Sequence, residues 1–169
     1  MYQLGYRFDL GDVIAPASLT TAVTGKRVMA RNAQNVNFLV NVGAAGTGTE
    51  DLILKIQQFT AASSGTSANL VVDHVWVKAA TALDGTETWT KVANAATDGT
   101  ITLVGATYAA KQLLVLVEVN TKDLTDGFDY CGLTMPNTTL ANARVGAATA
   151  VLADLVTKRS PNNLQPTLF

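Results

Sequence analysis

The sequence predicts an all-β protein: an antiparallel β-sandwich, jelly-roll-like or immunoglobulin-like, with extended N- and C-terminal arms. Short segments alternate apolar and polar residues, which is the period of a strand with one buried face. Turn signals separate these segments about every ten to fifteen residues, a spacing typical of β-sandwiches. Apolar residues make up 48% of the 169 residues, which is enough to fill one core.

We expect three parts along the chain. Residues 1–34 show no sustained period and are predicted to form an N-terminal arm with one short strand near 26–30. Residues 35–156 are the predicted β-sandwich domain. Residues 157–169 contain two prolines, which disfavour helices and sheet interiors, so they are predicted to form an extended C-terminal arm. Arms of this kind usually lie on a neighbouring subunit.

The first two predicted strands flank a glycine-rich turn. In 35–42, valine and phenylalanine alternate mostly with asparagine, and in 52–57, leucine and isoleucine occupy every second position. The turn at 43–49 between them predicts a hairpin. Residues 61–68 are small and polar and are expected to form an exposed loop.

The next segments surround an Asp-Gly turn. In the strand predicted over 71–77, Val75 and Val77 share one face, while His74 and Trp76 share the other. Asp84-Gly85 is a strong turn signal because glycine adopts positive φ without a Cβ clash. It leads into an alternating segment that contains Trp89.

The remaining strands are predicted over 100–104, 112–119 and 128–133, each near a further turn signal. The 112–119 segment is the most apolar, so we expect a central strand that is buried on both faces. Residues 142–156 are ambiguous, because their alanines favour helix and their alternation favours strand. We predict strand.

Charged residues are scarce and threonine is abundant. Only 15% of the residues are charged, below the quarter that is usual for soluble domains, while Thr and Ala each number roughly two dozen. Threonine is β-branched and keeps a hydroxyl, so it covers the wet face of a sheet without adding charge. The composition predicts either a surface partly buried against other subunits or an ordinary Thr-rich β-domain.

The charge and the cysteine count exclude several kinds of partner and site. The net charge is −1 and no cluster of Lys and Arg exceeds two residues, so we expect no nucleic-acid binding. The longest apolar run, 113–117, is far short of a membrane span, and the first residues do not resemble a signal peptide. Cys131 is the only cysteine, which leaves no intrachain disulfide and fits assembly in a reducing cytoplasm.

No pattern in the sequence predicts a catalytic, cofactor or metal site. His74 is the only histidine, and its neighbour Asp73 is predicted to point to the opposite strand face, which favours a surface or structural histidine. Cys131 has no cationic neighbour in sequence and is predicted to be a buried, inert thiol. The glycines of 43–48 lack the Lys-Ser/Thr of a phosphate loop. Residues 137–139 match a glycosylation acceptor, which matters only in a secreted protein.

Acidic residues lie mostly in turns. A carboxylate pair for glycoside hydrolysis would have to come from Glu50, Asp51, Glu87 and Asp98. A calcium loop would have to use Asp84, Asp98, Asp123, Asp126 and Asp129, which lack the spacing and the distal glutamate of such loops. Turn residues that accept local hydrogen bonds are the favoured interpretation of both sets.

Trp76 and Trp89 are the only two tryptophans. We predict that they pack between two sheets, with Trp89 as a core anchor. The alternative is an exposed aromatic platform that binds sugar rings.

Several segments, in their order along the chain, resemble those of small tailed-bacteriophage head proteins. They are Phe38 to Gly48, Leu52 to Gln57, Asp84-Gly85 to Val92, Leu113 to Val119, Tyr130 to Thr134 and Ala143 to Ala147. The resemblance covers about residues 25–166.

The resemblance implies a β-sandwich virion protein of the capsid decoration or cement type. Such a protein binds the outside of the shell formed by the major capsid protein, bridges capsomers and is often a homotrimer, after assembly in the host bacterial cytoplasm. It implies no catalytic residues and no cofactor. Two alternatives stay open: a neck or tail component, and a carbohydrate-binding or adhesin module that uses Trp76 or Trp89.

Overall fold

The computed structural model describes residues 5–45, 49–136, 144–160, 163–164 and 166–169. In these ranges the protein is nearly all-β, with short helices only at Gly105–Tyr108 (α1) and, in 3₁₀ form, at Thr121–Asp123. The strands are β1 (Phe8–Ser18), β2 (Val23–Thr24), β3 (Val28–Met29), β4 (Ala33–Val42), β5 (Leu52–Phe59), β6 (Ser67–Asn69), β7 (His74–Ala80), β8 (Thr90–Ala93), β9 (Thr100–Leu103), β10 (Gln112–Asn120), β11 (Tyr130–Met135) and β12 (Val145–Leu155).

The strands form two antiparallel sheets that pack face to face. Sheet A has the order β1-β12-β4-β10-β7-β8. Sheet B has the order β2-β11-β5-β6, with β3 also paired to β11 and β9 also paired to β5. The predicted β-sandwich is therefore confirmed.

The strand order distinguishes between the two predicted types of sandwich. If β2 and β3 are taken as one interrupted strand, and the inserted β6, β7 and β8 are set aside, successive strands switch between the sheets, except that β5 and β9 are paired in sheet B. Sheet A then contains the first, eighth, third and sixth strands, and sheet B contains the second, seventh, fourth and fifth. This is the wrapping of a jelly roll.

The core lies between the two sheets and follows the alternation of the sequence. In β4, Val36, Phe38, Val40 and Val42 are fully buried, and the intervening residues point away from the core. β5 contributes its leucines and Ile56 from the opposite sheet in the same way. Side chains from the two inner faces together remove the apolar surface of both sheets from water, which is the main stabilising contribution to the fold.

Two expectations about strand pairing and burial are wrong. β4 and β5 do not form a hairpin, because the jelly roll sends β4 into sheet A and β5 into sheet B. β10 is central, between β4 and β7, but it is buried on one face only, and Leu114 and Leu116 lie on the outer face. The segment that was ambiguous between helix and strand is strand, β12.

The expected N-terminal arm is also wrong. β1 is an edge strand of sheet A and pairs with β12 from Phe8↔Ala153 to Ser18↔Val145. Register shifts between Asp12 and Ile14 and again before Ala17 break its alternation, which hides the strand in the sequence. The short strand expected near 26–30 is present as β3.

The C-terminal segment is extended, but it docks on its own domain. Leu168 forms a β-bridge with Val28, and the backbones of Arg27 and Phe169 exchange two hydrogen bonds of 2.9 and 3.0 Å. The Met29 N–H donates to the Thr167 carbonyl at 2.8 Å. This segment therefore extends the β3 side of sheet B.

Candidate interaction surface

One row of side chains crosses the whole outer face of sheet A. Direct cross-strand partners in successive strands define it: Asp12 on β1, Thr149 on β12, Leu39 on β4, Leu116 on β10, Trp76 on β7 and Lys91 on β8. Each residue lies next to inward-pointing neighbours, so all six side chains point away from the core. We call this set the central row.

The rows on either side of the central row also consist of outward-pointing side chains. One contains Ala147, Asn41, Leu114 and Lys78, and the other contains Leu10, Val151, Asn37 and Glu118. Leu10 is 50% exposed. At the centre of the outer face of sheet A, leucines therefore lie among the amides of Asn37 and Asn41 and the carboxylate of Glu118. Asp12 lies at the β1 edge of this face, and Lys78 and Lys91 lie towards its β8 edge.

The prediction that the tryptophans pack between the sheets is wrong. Trp89 precedes β8 and is 40% exposed, with the Lys78 Nζ atom 5.3 Å from its ring centroid. Trp76 is half-buried on the outer face, where its indole N–H donates to a Glu118 carboxylate oxygen at 2.9 Å. Alternation had already placed Trp76 opposite Val75 and Val77, and those two valines proved to be the core residues.

His74 lies at one end of this surface, beside Trp76. Its Nδ1 atom is 2.9 Å from a carboxylate oxygen of Asp73, and its Nε2 atom is 3.9 Å from Glu118. The expectation that Asp73 and His74 point apart is wrong, because β7 begins at His74 and strand alternation does not extend to Asp73. The hydrogen bond to His74 lowers the pKa of Asp73. The His74 ring also meets the Trp76 ring edge-on, with 5.8 Å between centroids.

Three of the carboxylates considered for hydrolysis or calcium binding accept local hydrogen bonds, whereas Asp51 accepts one from the distant Gly105 N–H at 2.7 Å. Asp84 accepts bonds from the Thr86 hydroxyl and N–H, and Asp98 accepts bonds from the Thr100 hydroxyl and N–H; these bonds lower the pKa of each aspartate. Glu87 accepts bonds from the backbone of the Asp84-Gly85 turn. Within the described residues, no group of three or more His, Cys, Asp or Glu side chains could hold a metal ion.

The remaining candidates also have structural positions. Cys131 is fully buried on the inner face of β11, and burial raises the pKa of its thiol to about 12, so the thiol is protonated and inert at neutral pH. The 137–139 acceptor and the glycines at positions 46 and 48 lie outside the described residues.

Arg144 is a buried charge that the sequence did not reveal. It is 1% exposed, and its guanidinium donates to the carbonyls of Gly43 at 2.9 Å and Lys111 at 3.3 Å. Burial lowers its pKa. It therefore ties the chain before β12 to the ends of β4 and of the segment that leads into β10. No local pattern marks such a residue, because its partners are carbonyls distant in sequence.

The outer face of sheet B differs in that its own chain covers part of it. The Phe59 ring lies over Gly132, and the Arg27 guanidinium stacks on that ring at 4.0 Å from its centroid. Arg27 also donates to the carbonyls of Ala61 and Ser64, both at 2.7 Å. The Phe169 ring packs edge-on against Tyr130.

Within the described ranges, no helix has the length and apolar character that crossing a membrane requires.

Comparison with known proteins assigns this chain to no family. No protein-family model matches the chain, and no curated protein is significantly similar to it in sequence.

Proposed function

We propose that this chain is a virion structural protein, a capsid decoration protein that binds the outer surface of the shell and bridges capsomers. The observation that carries the proposal is the outer face of sheet A. The central row places Leu39, Leu116 and Trp76 side by side on a solvent-facing surface with no charge between Asp12 and Lys91. An apolar face of this extent is typical of a surface that another protein subunit covers.

The fold and the composition agree with this role. Jelly rolls occur in viral capsid proteins and in lectins, so the fold is an argument by analogy only. The low charge, 15% of the residues, is consistent with a protein whose surface is largely in contact with neighbours. A shell repeats each contact by symmetry, so individually weak contacts sum to stable attachment.

Co-sedimentation with capsid shells tests the proposal. Shells assembled from the major capsid protein encoded with this chain should carry the wild-type protein into the pellet. Leu39→Glu should reduce the bound fraction at least tenfold, because it places a charge at the centre of the covered face. The matched control is Val104→Glu, the same kind of change at a residue that is 53% exposed after β9 of the other sheet; it should bind like the wild type. Wild-type protein that stays in the supernatant at every concentration would contradict the proposal.

The neck or tail alternative uses the same face in a different part of the particle. The particle fraction with which the protein sediments distinguishes this role from decoration. Attachment to isolated tails or connectors, with none to shells, would replace decoration with that role.

A second candidate function is glycan binding, and the exposure of Trp89 favours it. Trp89 does not line the nearby groove of about 360 Å³, which Thr88, Thr90 and Tyr108 line. The platform would be the exposed Trp89 ring itself, beside the Lys78 ammonium. An exposed aromatic ring next to polar groups is a common platform for sugar rings. Titration of oligosaccharides should then quench the indole fluorescence of the wild type, and Trp89→Ala should abolish the saturable change while Trp76→Phe keeps it. An unchanged spectrum across glycans would remove this candidate.

A further inference from the structure

We propose that two copies of this chain pair through the outer faces of sheet A, related by a two-fold axis that runs parallel to the strands between β4 and β10. The inference rests on the proposed function, in which another virion subunit covers this face, and it names that subunit as a second copy. Such a pair would join two capsomers by attaching one copy to each through surfaces outside this face. Leu39→Glu would then weaken shell binding by breaking the two-point attachment.

The order of residues in the central row is complementary to itself. Across the sheet it runs Asp12, Thr149, Leu39, Leu116, Trp76 and Lys91. A two-fold axis parallel to the strands keeps the height of the row and reverses its order in the second copy. Asp12 of each copy then faces Lys91 of the other, and Leu39 faces Leu116. The remaining two positions, Thr149 and Trp76, also face each other. In the adjacent row the same axis places Glu118 of each copy opposite Asn37 of the other, and the Glu118 carboxylate accepts a hydrogen bond from the indole N–H of its own Trp76.

The charges select this axis over the alternative. A two-fold axis in the plane of the face but perpendicular to the strands would keep the order of the row, so that Asp12 would face Asp12 and Lys91 would face Lys91. Like charges directly opposed across an interface are unfavourable and suppress that arrangement. The parallel axis turns both ends of the row into opposite-charge pairs, two per dimer.

The size of the face suits a stable dimer. Six strands spaced about 4.8 Å apart, with a mean length near nine residues, give a face of about 800 Å². About 800 Å² per partner is the usual size of a specific protein interface. Pairing through this face would therefore bury enough surface without the help of a further contact.

The edges of sheet A are poorly suited to association, which favours pairing through the face. β1 carries Pro16 and two register shifts, and β8 is only four residues long. Proline, bulges and short edge strands all hinder the addition of another strand. The regular, unbulged part of the sheet is its middle, where Leu39 and Leu116 lie.

A charge-reversal cycle tests the pairing directly. Wild-type protein, Asp12→Lys, Lys91→Asp and the double variant are compared by sedimentation equilibrium over a range of concentrations. Each single reversal creates two like-charge pairs per dimer and should raise the dimer Kd about tenfold or more. The double variant restores opposite charges across the interface and should return the Kd to near the wild-type value. If both reversals weaken association and the double variant does not recover, the proposed axis is wrong.

A second variant tests the centre of the face and does not depend on the charges. Leu116→Glu should give a monomer, whereas the control Val104→Glu should dimerise like the wild type, with circular dichroism showing that both are folded. A wild-type protein that is monomeric at all concentrations, or a homotrimer, would overturn the pairing.

Shell binding separates this proposal from the proposed function. One outcome is a wild type that is monomeric but co-sediments with shells, together with a Leu39→Glu variant that does not bind shells. The shell itself would then cover the face, so the pairing would fail while the decoration role stands. A dimer that follows the charge-reversal cycle but never binds shells would leave the pairing intact and refute the decoration role.

Discussion

The outer faces of the two sheets contrast in what covers them. On sheet B, Phe59 lies on Gly132, Arg27 lies on Phe59, and Phe169 packs against Tyr130. On sheet A, the Lys91 ammonium lies 6.0 Å from the Trp76 ring centroid and the His74 ring meets Trp76 edge-on, whereas Leu39 and Leu116 stay partly exposed.

The difference shows that this chain can supply its own cover. Sheet B is closed by side chains and by the C-terminal backbone, which bridges to β3. Sheet A keeps an apolar centre at the surface, although a threonine-rich sequence has many polar residues available for it. Apolar surface left open in this way is typical of surfaces that another protein covers.

The largest expected effect is the difference in stability loss between substitutions on the two faces of β4. Phe38 and Leu39 are neighbours in β4, and Phe38 is fully buried whereas Leu39 lies in the central row. Phe38→Ala leaves a cavity in the core and should lower the free energy of unfolding by about 3–5 kcal/mol. Leu39→Ala should cost the monomer less than about 1 kcal/mol. Urea unfolding at a concentration where the protein is monomeric measures both, and equal losses would show that the outer face of sheet A is part of the core.

A smaller effect tests the cover of sheet B. Arg27→Ala removes two hydrogen bonds to carbonyls and the stacking on Phe59, so we expect a loss of about 1–3 kcal/mol in the free energy of unfolding. Arg27→Lys should recover only part of it, because one ammonium does not reproduce the planar fork of a guanidinium. If Arg27→Ala unfolds at the same urea concentration as the wild type, the cover contributes nothing.

The smallest effect concerns pH at the margin of sheet B. Arg31 donates a hydrogen bond to Asp129, which lowers the pKa of that carboxyl. Because the folded pKa is below the unfolded value, the pair stabilises the fold above about pH 4, and this contribution is lost as pH falls through the folded pKa. The urea midpoint of the wild type should therefore exceed that of Asp129→Asn slightly at pH 7. The difference should vanish in acid and shrink in high salt, and a gap that persists in acid would contradict this explanation.

Local patterns predicted the strands but not their partners. The alternation in 36–42, 52–57, 100–104 and 112–119 gave strands that the structure confirms, because one buried face imposes a period of two. The pairing of β4 with β12 and β10 joins segments far apart in sequence, and no short pattern encodes it. The hairpin expected between β4 and β5 failed for that reason.

The candidate surface was predictable only in outline. Low charge left open either a surface partly buried against other subunits or an ordinary Thr-rich β-domain. The central row can be identified only once the register of six strands is known. Alternation placed Trp76 on the strand face opposite Val75. The prediction that Trp76 lies in the core followed instead from the general tendency of large aromatic residues to be buried, and it is wrong. The sequence does not predict β1, because two register shifts interrupt the apolar–polar alternation by which strands are predicted.

The pairing of β1 with β12 has a consequence for the order in which the protein can fold. It joins Phe8 to Ala153, so it closes a loop of nearly the whole chain, and such non-local pairings make folding slow. During synthesis, β1 has no partner in sheet A until β12 has left the ribosome. Thr149 of the central row arrives with that last strand. The proposed pairing surface is thus completed only when synthesis of the domain is nearly over.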